Sequence, residues 1–170
     1  EERTMFKNLQ FGNSSGSYNV KDPATALKRQ EMAAAFLFSI PGPKMIWQFG
    51  ELGYDISIDQ NGRTGEKPVR WNYNNDPKRR ALFQVYSKLI KWKIKNPVFT
   101  STNVRYNLSG AVKYVELQGT DNSVVVVGNF DVTSQQASLN FPGAGIWIDN
   151  MTGNAINRPG GAYEATLAPG

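Results

Sequence analysis

The sequence predicts an α+β chain in two parts, a helix–strand–helix segment followed by an antiparallel β-sandwich. Three observations lead to this prediction. Two helix-forming stretches each begin at an Asp-Pro pair, and a short apolar run lies between them. From Pro97 onward, helical periodicity gives way to short β-rich runs separated by turns. We therefore expect two domains, residues 1–96 and residues 97–170.

Composition excludes several classes of function. The chain has 170 residues, and none of its apolar runs approaches the roughly 20 residues that cross a bilayer, so no membrane partner is expected. It has no cysteine and no histidine, which excludes the usual zinc sites and Cys- or His-dependent catalysis within it. The net charge is +5, and the basic residues lie mostly on the faces of the two predicted helices. No aromatic stacking platforms accompany them, so no nucleic-acid partner is expected. We expect no cofactor and no metal in this chain.

The first helix is predicted over Ala24–Ile40. Asp22 is a good N-cap and Pro23 suits the first helical position, while Pro41 ends the helix. Its apolar stripe is Leu27, Ala34 and Phe38. The preceding residues are polar and predict a loop containing one short helical turn.

The apolar run Met45–Phe49 predicts a strand buried on both faces, as parallel strands are in α/β proteins. It ends at Gly50-Glu51, and ligands bind at the carboxyl ends of such strands. Glu51 is therefore a candidate ligand carboxylate, although the sequence alone favours the alternative that it holds backbone N–H groups of the following loop.

A long polar loop, Leu52–Asn75, is typical of a functional segment. Its aromatic and charged residues suit a polar ligand or a lid packed over a core, and the candidates are Tyr54, Asp55, Arg63, Arg70 and Trp71. The loop does not match the pattern of a calcium-binding loop. If Gly62 were the turn glycine, the last chelating position, which requires a glutamate, would be Pro68.

The second helix is predicted over Pro77–Lys95, where Leu82, Val85, Leu89 and Trp92 form an apolar stripe. Strands spaced about ten residues apart then predict the sandwich. The predicted strands are Asn103–Leu108, Val112–Leu117, Ser123–Phe130, Gln136–Phe141, Gly145–Asn150 and Ala162–Leu167.

Taken in order, these segments resemble the C-terminal part of an α-amylase-type enzyme of glycoside hydrolase family 13. The first helix and the run from Pro41 to Glu51 resemble the seventh helix and the eighth strand of that family's (β/α)8 barrel, and Glu66–Trp71 resembles the segment that follows this strand. Val124–Phe130 is similar to a "V-V-V-x-N-F" strand of the family's C-terminal sandwich, and Ile146–Gly153 to its "W-x-D-x-x-T-G" turn.

The resemblance implies what the chain contains and what it lacks. It places Glu1 directly after the His-Asp motif of the seventh barrel strand, so Arg3 matches an arginine three places after that aspartate. The family's nucleophile and acid/base carboxylates match no residue here, so no catalytic residue is expected. Arg3 and Glu51 become candidates for the rim of a substrate site, together with the loop residues named above.

The implied parent acts on α-glucans such as starch, glycogen or maltooligosaccharides by a retaining mechanism. The resemblance does not separate hydrolase, branching enzyme and transglycosylase. It allows calcium in the parent and favours a secreted or periplasmic location over a cytoplasmic one. The α-glucan is the expected partner of the parent enzyme. The expected partners of the chain itself are the missing N-terminal barrel segment and, for the isolated chain, further copies of itself.

A non-catalytic carbohydrate-binding sandwich is the alternative. Such a module needs exposed aromatic residues in a row on one sheet face, and the sequence offers Tyr106, Tyr114, Trp147 and Tyr163.

Overall fold

The computed structural model describes residues 2–170, which form two compact units. One unit comprises the chain up to Phe38 together with Pro43–Trp92, and the other comprises Ser39–Gly42 and Lys93–Gly170. Glu1, which the resemblance places beside the His-Asp motif, lies outside the described residues.

The first unit contains three α-helices, α1 (Thr4–Phe11), α2 (Pro23–Ser39) and α3 (Pro77–Lys95). A hairpin of two short antiparallel strands, β1 (Ser14–Ser15) and β2 (Tyr18–Asn19), separates α1 from α2. The Asp22 carboxylate accepts the Thr25 backbone N–H at 2.9 Å, which is the N-cap that the sequence predicted.

The three helices share one apolar core. Leu27, Ala34 and Phe38 of α2 are all buried, as their spacing predicted. On α3, Leu82 and Leu89 are buried and Tyr86 meets Phe38 edge to face, with ring centroids 5.4 Å apart. The remaining buried core residues are Met5 and Ala26, and the partly buried residues packed against the core are Leu9, Ala35, Val85, Ile90 and Trp92.

The buried strand predicted over Met45–Phe49 is wrong. Met45 is 84% exposed and Trp47 is 51% exposed, and only Phe49 at the end of the run is buried. A strand needs neighbours for its backbone N–H and C=O groups. Every strand pair among the described residues is antiparallel, and none of these pairs includes residues 45–49.

At Phe49 the chain turns sharply instead of continuing. Phe49 has a φ of 55°, in the left-handed region that a bulky residue rarely adopts. A short 3₁₀-helix, Gly50–Leu52, follows at once, and a second one, Trp71–Asn75, precedes α3. Between them the loop is anchored to α3 because Arg79 donates to the carbonyls of Leu52 and Gly53 at 2.9 and 2.5 Å.

The second unit consists of a 3₁₀-helix, Pro97–Thr100, and seven strands in antiparallel sheets. Strands β3, β4 and β5 form a three-stranded sheet, while β6 pairs with β9 and β7 pairs with β8. Their bounds are β3 Val104–Asn107, β4 Val112–Gln118, β5 Ser123–Asn129, β6 Gln135–Phe141, β7 Gly145–Ile148, β8 Ala155–Arg158 and β9 Gly161–Leu167. The α+β class with antiparallel strands is thus confirmed, and β8 is a strand that the sequence analysis missed.

The two sequence motifs of this unit have structural roles. The buried Asn129 amide donates to the carbonyls of Thr133 and Ala168 at 2.7 and 3.0 Å, which ties the end of β5 to the segment after β9. Asp149 accepts the Met151 N–H and the Thr152 hydroxyl, at 2.8 and 2.7 Å, in the turn between β7 and β8. Both motifs therefore hold turns and strand ends in place.

No helix among residues 2–170 is both long enough and apolar enough to cross a membrane.

Candidate functional site

An open groove of about 500 Å³ lies in the first unit, and we call it the Arg3 groove. Its lining includes Arg3, Gln30, Trp47, Tyr54 and Tyr86, contributed by α2, α3 and the segments beside them. The lining therefore combines nitrogen-bearing polar side chains with aromatic rings.

The Arg3 guanidinium is held between two aromatic rings. Its central carbon lies 4.6 Å from the Trp47 ring centroid and 4.4 Å from that of Tyr54. Cation–π contacts of this kind orient the planar group. Its Nε and Nη2 atoms are buried and have no hydrogen-bond partner among the described residues. These two atoms form the edge with which arginine grips a carboxylate in bidentate fashion.

Gln30 shows the same deficit. Its side chain is only 8% exposed, and its Nε2 has no hydrogen-bond partner within residues 2–170. Leaving a buried donor unpaired costs about 1–3 kcal/mol. The Arg3 groove therefore presents donors that need an acceptor, beside the exposed side chains of Met45 and Trp47.

Glu2 is not a free acceptor for these donors. One oxygen accepts the backbone N–H groups of Arg3 and Ile58, at 2.7 and 2.8 Å, and the other accepts the Ser57 hydroxyl. Burial raises the pKa of Glu2, but these hydrogen bonds outweigh it and hold the pKa below its ordinary value. Glu2 thus fastens the start of the chain to the loop after the first 3₁₀-helix.

Tyr54, predicted as a site residue, is buried, and its hydroxyl donates to the Pro68 carbonyl. Burial raises its pKa. Its ring stacks on Phe49 with centroids 5.9 Å apart, and Trp71 meets Phe49 edge to face at 4.9 Å. Trp71 itself is 75% exposed. Arg70 is half-buried, with an unpaired buried Nε in the described part of the chain, and its charge acts on Tyr54.

Asp55 lies beside this group, and both of its carboxylate oxygens are already bound. It accepts the Tyr73 hydroxyl on one oxygen and pairs with the Arg79 guanidinium at 2.8 Å on the other. The Arg79 guanidinium also lies 3.9 Å from the Tyr73 ring centroid. Burial, followed by the hydrogen bond to Asp55 and its negative charge, raises the pKa of Tyr73 to about 12.

Two predicted site residues lie apart from the others. Glu51 lines a second groove with Phe83 and Ile90, where its charge adds to burial in raising the pKa of Tyr86. Arg63 is exposed on the loop. The structure therefore brings together Arg3, Tyr54, Asp55, Arg70 and Trp71 and leaves Glu51 and Arg63 outside this group.

Sequence reasoning missed Gln30 and Trp47 in the groove, and Arg79 and Lys67 behind it. Gln30 lies on the apolar side of the first helix, three residues after Leu27. Its position in the sequence therefore indicates only that it is buried, not that it lines a groove. Trp47 was assigned to a buried strand. Arg79 was grouped with the solvated lysines and arginines of α3, although it directly follows the Asp-Pro start of that helix.

A metal site is not evident from the donor set. The described residues contain no cluster of three or more aspartate, glutamate, histidine or cysteine side chains that could hold a metal ion.

Comparison with known proteins supports the resemblance found in the motifs. No model of a protein family matches the chain. A curated relative, neopullulanase 2 of Thermoactinomyces vulgaris, is 28% identical over 147 residues. The match covers 81% of this chain but only 24% of the relative, so the chain spans about a quarter of its length.

Solved structures agree at the level of the fold. The chain of AmyP in complex with maltose superposes with a TM-score of 0.66 and 17% identity, covering 94% of this chain and 35% of that one. The α-amylase of Geobacillus thermoleovorans in complex with acarbose gives a TM-score of 0.61 and 15% identity, covering 88% and 33%. The resemblance to the C-terminal region of α-amylase-type enzymes is therefore confirmed, over about a third of the length of these structures.

Proposed function

We propose that this chain is the C-terminal portion of an α-glucan-acting enzyme, a glycoside hydrolase or transglycosylase of the α-amylase or glucan branching enzyme type. Residues 1–96 would end its (β/α)8 barrel, and residues 97–170 would form its C-terminal sandwich. The sequence match to neopullulanase 2, which extends over 81% of the chain, carries this proposal. The fold of a structure crystallised with maltose supports it.

The Arg3 groove supports the proposal that another segment of the parent enzyme completes the first unit. Arg3 and Gln30 present buried donors without acceptors, and Met45 and Trp47 expose apolar surface on an extended stretch without strand partners. An extended segment of the missing barrel, carrying an acceptor and apolar side chains, would satisfy both deficits.

The chain alone is proposed to be inactive. Retaining glycosidases need two carboxyl groups about 5–5.5 Å apart, one as nucleophile and one as acid/base. Near the Arg3 groove, both oxygens of Glu2 are hydrogen-bonded to the backbone and to Ser57. Both oxygens of Asp55 are bound by Tyr73 and Arg79. These carboxylates hold the loop and are not free to attack or protonate a sugar.

Complementation tests the proposal. The purified chain and, separately, the polypeptide encoded upstream of it are assayed for release of reducing ends from maltotriose and starch, first alone and then mixed. We expect activity only in the mixture. Trp47→Ser in the chain should weaken the complementation, whereas Ile146→Ser, at an exposed residue of β7 in the second unit, should not. Turnover by the chain alone, or a mixture that neither associates nor acts, would overturn it.

The rim role of Arg3, Glu51, Tyr54, Asp55, Arg63, Arg70 and Trp71 is part of the same proposal. In the complemented enzyme, Trp71→Ala should raise KM for maltooligosaccharides because the exposed ring is available to a sugar face. Tyr54 and Asp55 act through the loop that they hold, and their replacement should lower activity through loss of loop order.

The alternative, a carbohydrate-binding module, receives less support from the placement of the aromatic residues. Tyr106 is paired across the sheet with Val115, so Tyr106 and Tyr114 face opposite sides of the β3–β4–β5 sheet. Trp147 and Tyr163 lie in other sheets, each packed against Phe141. Calorimetry of the whole chain with maltoheptaose distinguishes the two proposals, since saturable binding abolished by Trp147→Ala would favour the module.

A further inference from the structure

The long loop contains a buried charged group, the ammonium group of Lys67. The side chain is only 6% exposed. Its Nζ donates to three backbone carbonyls, those of Gln60, Gly62 and Gly65, at 2.8, 2.6 and 2.9 Å. An ammonium group has three donors and no acceptor, so these three bonds satisfy it completely. This is why a lysine can be buried here.

The backbone of the loop is shaped around that cation. Asn61 and Gly62 have φ angles of 59° and 76°, which reverse the chain sharply. At Gly65 a Cβ would lie 1.8 Å from the Asn61 carbonyl oxygen, so no side chain fits there. The Asn61 side-chain amide closes the loop by donating to the Glu66 carbonyl at 3.0 Å. The result is a backbone cage with its carbonyl oxygens directed inward.

We propose that residues 60–65 form a cation-binding loop whose resident cation is the Lys67 ammonium. Convergent carbonyl oxygens are the ligands with which proteins coordinate hard cations. The ligand set is neutral, and the described residues contain no cluster of acidic side chains that would select a divalent ion. The chemistry therefore suits a monovalent cation, and a loop emptied of its ammonium group should accept ammonium or K⁺.

The cage also holds the neighbouring rim segment. Immediately after Lys67, the Pro68 carbonyl accepts the Tyr54 hydroxyl, and the Lys67 carbonyl itself accepts the Gln48 side-chain amide at 3.4 Å. These two bonds and the cage together anchor the start of the stretch that leads to Arg70 and Trp71. This inference concerns the loop itself and stands whether or not the chain belongs to an α-glucan-acting enzyme.

Amide hydrogen exchange in the full chain tests the proposal. In Lys67→Ala, we expect residues 59–66 to exchange about tenfold to a hundredfold faster than in the wild type, because three charge-assisted bonds are lost. Ammonium chloride or KCl should restore protection saturably. Tetramethylammonium chloride at equal ionic strength should not, since that ion cannot enter the cage. Lys91→Ala, at an exposed lysine of α3, serves as the matched control and should leave exchange of this loop unchanged in every salt.

Three outcomes would overturn the proposal. These are unchanged exchange in Lys67→Ala, loss of protection that no cation restores, and restoration by tetramethylammonium to the same extent. The wild-type chain supplies an independent measurement if Lys67→Ala does not fold. The Lys67 Nζ resonance should show scalar couplings across hydrogen bonds to the carbonyl carbons of Gln60, Gly62 and Gly65. A Lys67 ammonium without such couplings, exchanging as fast as that of Lys91, would equally overturn it.

Discussion

Tyr73 and Arg79 each bind one carboxylate oxygen of Asp55, and burial together with the contact to Asp55 raises the pKa of Tyr73. Its folded pKa of about 12 lies above the ordinary value of 10.0. A group whose folded pKa is raised contributes stability that is fully present below the unfolded pKa and is lost as pH rises through the folded pKa. The contact should therefore persist to pH 10 and be lost as the pH approaches 12.

We predict that Tyr73→Phe removes one tyrosine from the latest part of the alkaline titration. Tyrosinate absorbance measured against pH should show a late-ionising phenol in the wild type, near pH 12, that is absent from the variant. Tyr106→Phe, at a 65% exposed tyrosine, is the control and should leave this late phase unchanged. Identical late titrations for the wild type and Tyr73→Phe would show that the hydroxyl is not held by Asp55.

Phe49 combines a buried ring with a backbone conformation that suits glycine. Both Phe49→Ala and Phe49→Gly lose the ring contacts with Tyr54 and Trp71, at a cost of about 3 kcal/mol or more. Alanine keeps the unfavourable left-handed φ, whereas glycine relieves it by about 1 kcal/mol. We predict that the glycine variant is the more stable of the two in urea unfolding, which reverses their usual order. A less stable glycine variant would contradict the φ of Phe49.

At the level of elements, the helices could be predicted because their signals are local. Asp22-Pro23 and Asp76-Pro77 mark the starts of α2 and α3, and the apolar spacing marks their buried faces. Helix hydrogen bonds lie within the element, so no distant partner decides whether it forms.

Strand assignments depend on partners that the sequence does not display. The run Met45–Phe49 has strand composition, but none of the strand pairs among the described residues includes it, so it does not form a strand. β8 was missed for the opposite reason: Ala155–Arg158 has weak strand composition, yet pairing with β7 makes it a strand. The candidate site could not be predicted for the same reason. Arg3 and Tyr54 are 51 positions apart in the sequence and come into contact only through tertiary packing.

The buried stripe of α3 gives the prediction at this scale. Leu82 is fully buried in the helical core, whereas its neighbour Phe83 is 46% exposed. We expect Leu82→Ala to lower the free energy of unfolding by about 3 kcal/mol, through lost burial and the cavity left behind. Phe83→Ala should cost less, about 1 kcal/mol, because nearly half of the Phe83 surface is already in water. Urea unfolding followed by circular dichroism measures both, and equal losses would contradict the assigned face of α3.

For the whole molecule, the exposed apolar stretch predicts self-association of the isolated chain. Met45 and Trp47 leave much of their surface in water next to the Arg3 groove, and a patch of this kind marks an interaction site. We expect the wild-type chain to sediment at micromolar concentration as a mixture containing dimers or larger species. The double variant Met45→Ser, Trp47→Ser should sediment as a monomer.

The matched control for that experiment is Ile146→Ser, because Ile146 is 76% exposed but lies in β7 of the other compact unit. It should associate as the wild type does. A wild-type chain that remains strictly monomeric, or a control that loses association equally, would show that this stretch does not drive assembly.

The loop around Lys67 also controls how fast Asn61 deamidates. Asn61-Gly62 is a dipeptide prone to deamidation, in which the Gly62 nitrogen attacks the Asn61 side-chain amide. In the folded loop that nitrogen donates to the Asp59 carbonyl at 2.9 Å, and the amide is bound to the Glu66 carbonyl. Both bonds must break before the ring closes, so the closed loop protects Asn61. Once deamidated, the residue can no longer donate to Glu66. The rate at which Asn61 gains mass during storage therefore reports how often this loop opens.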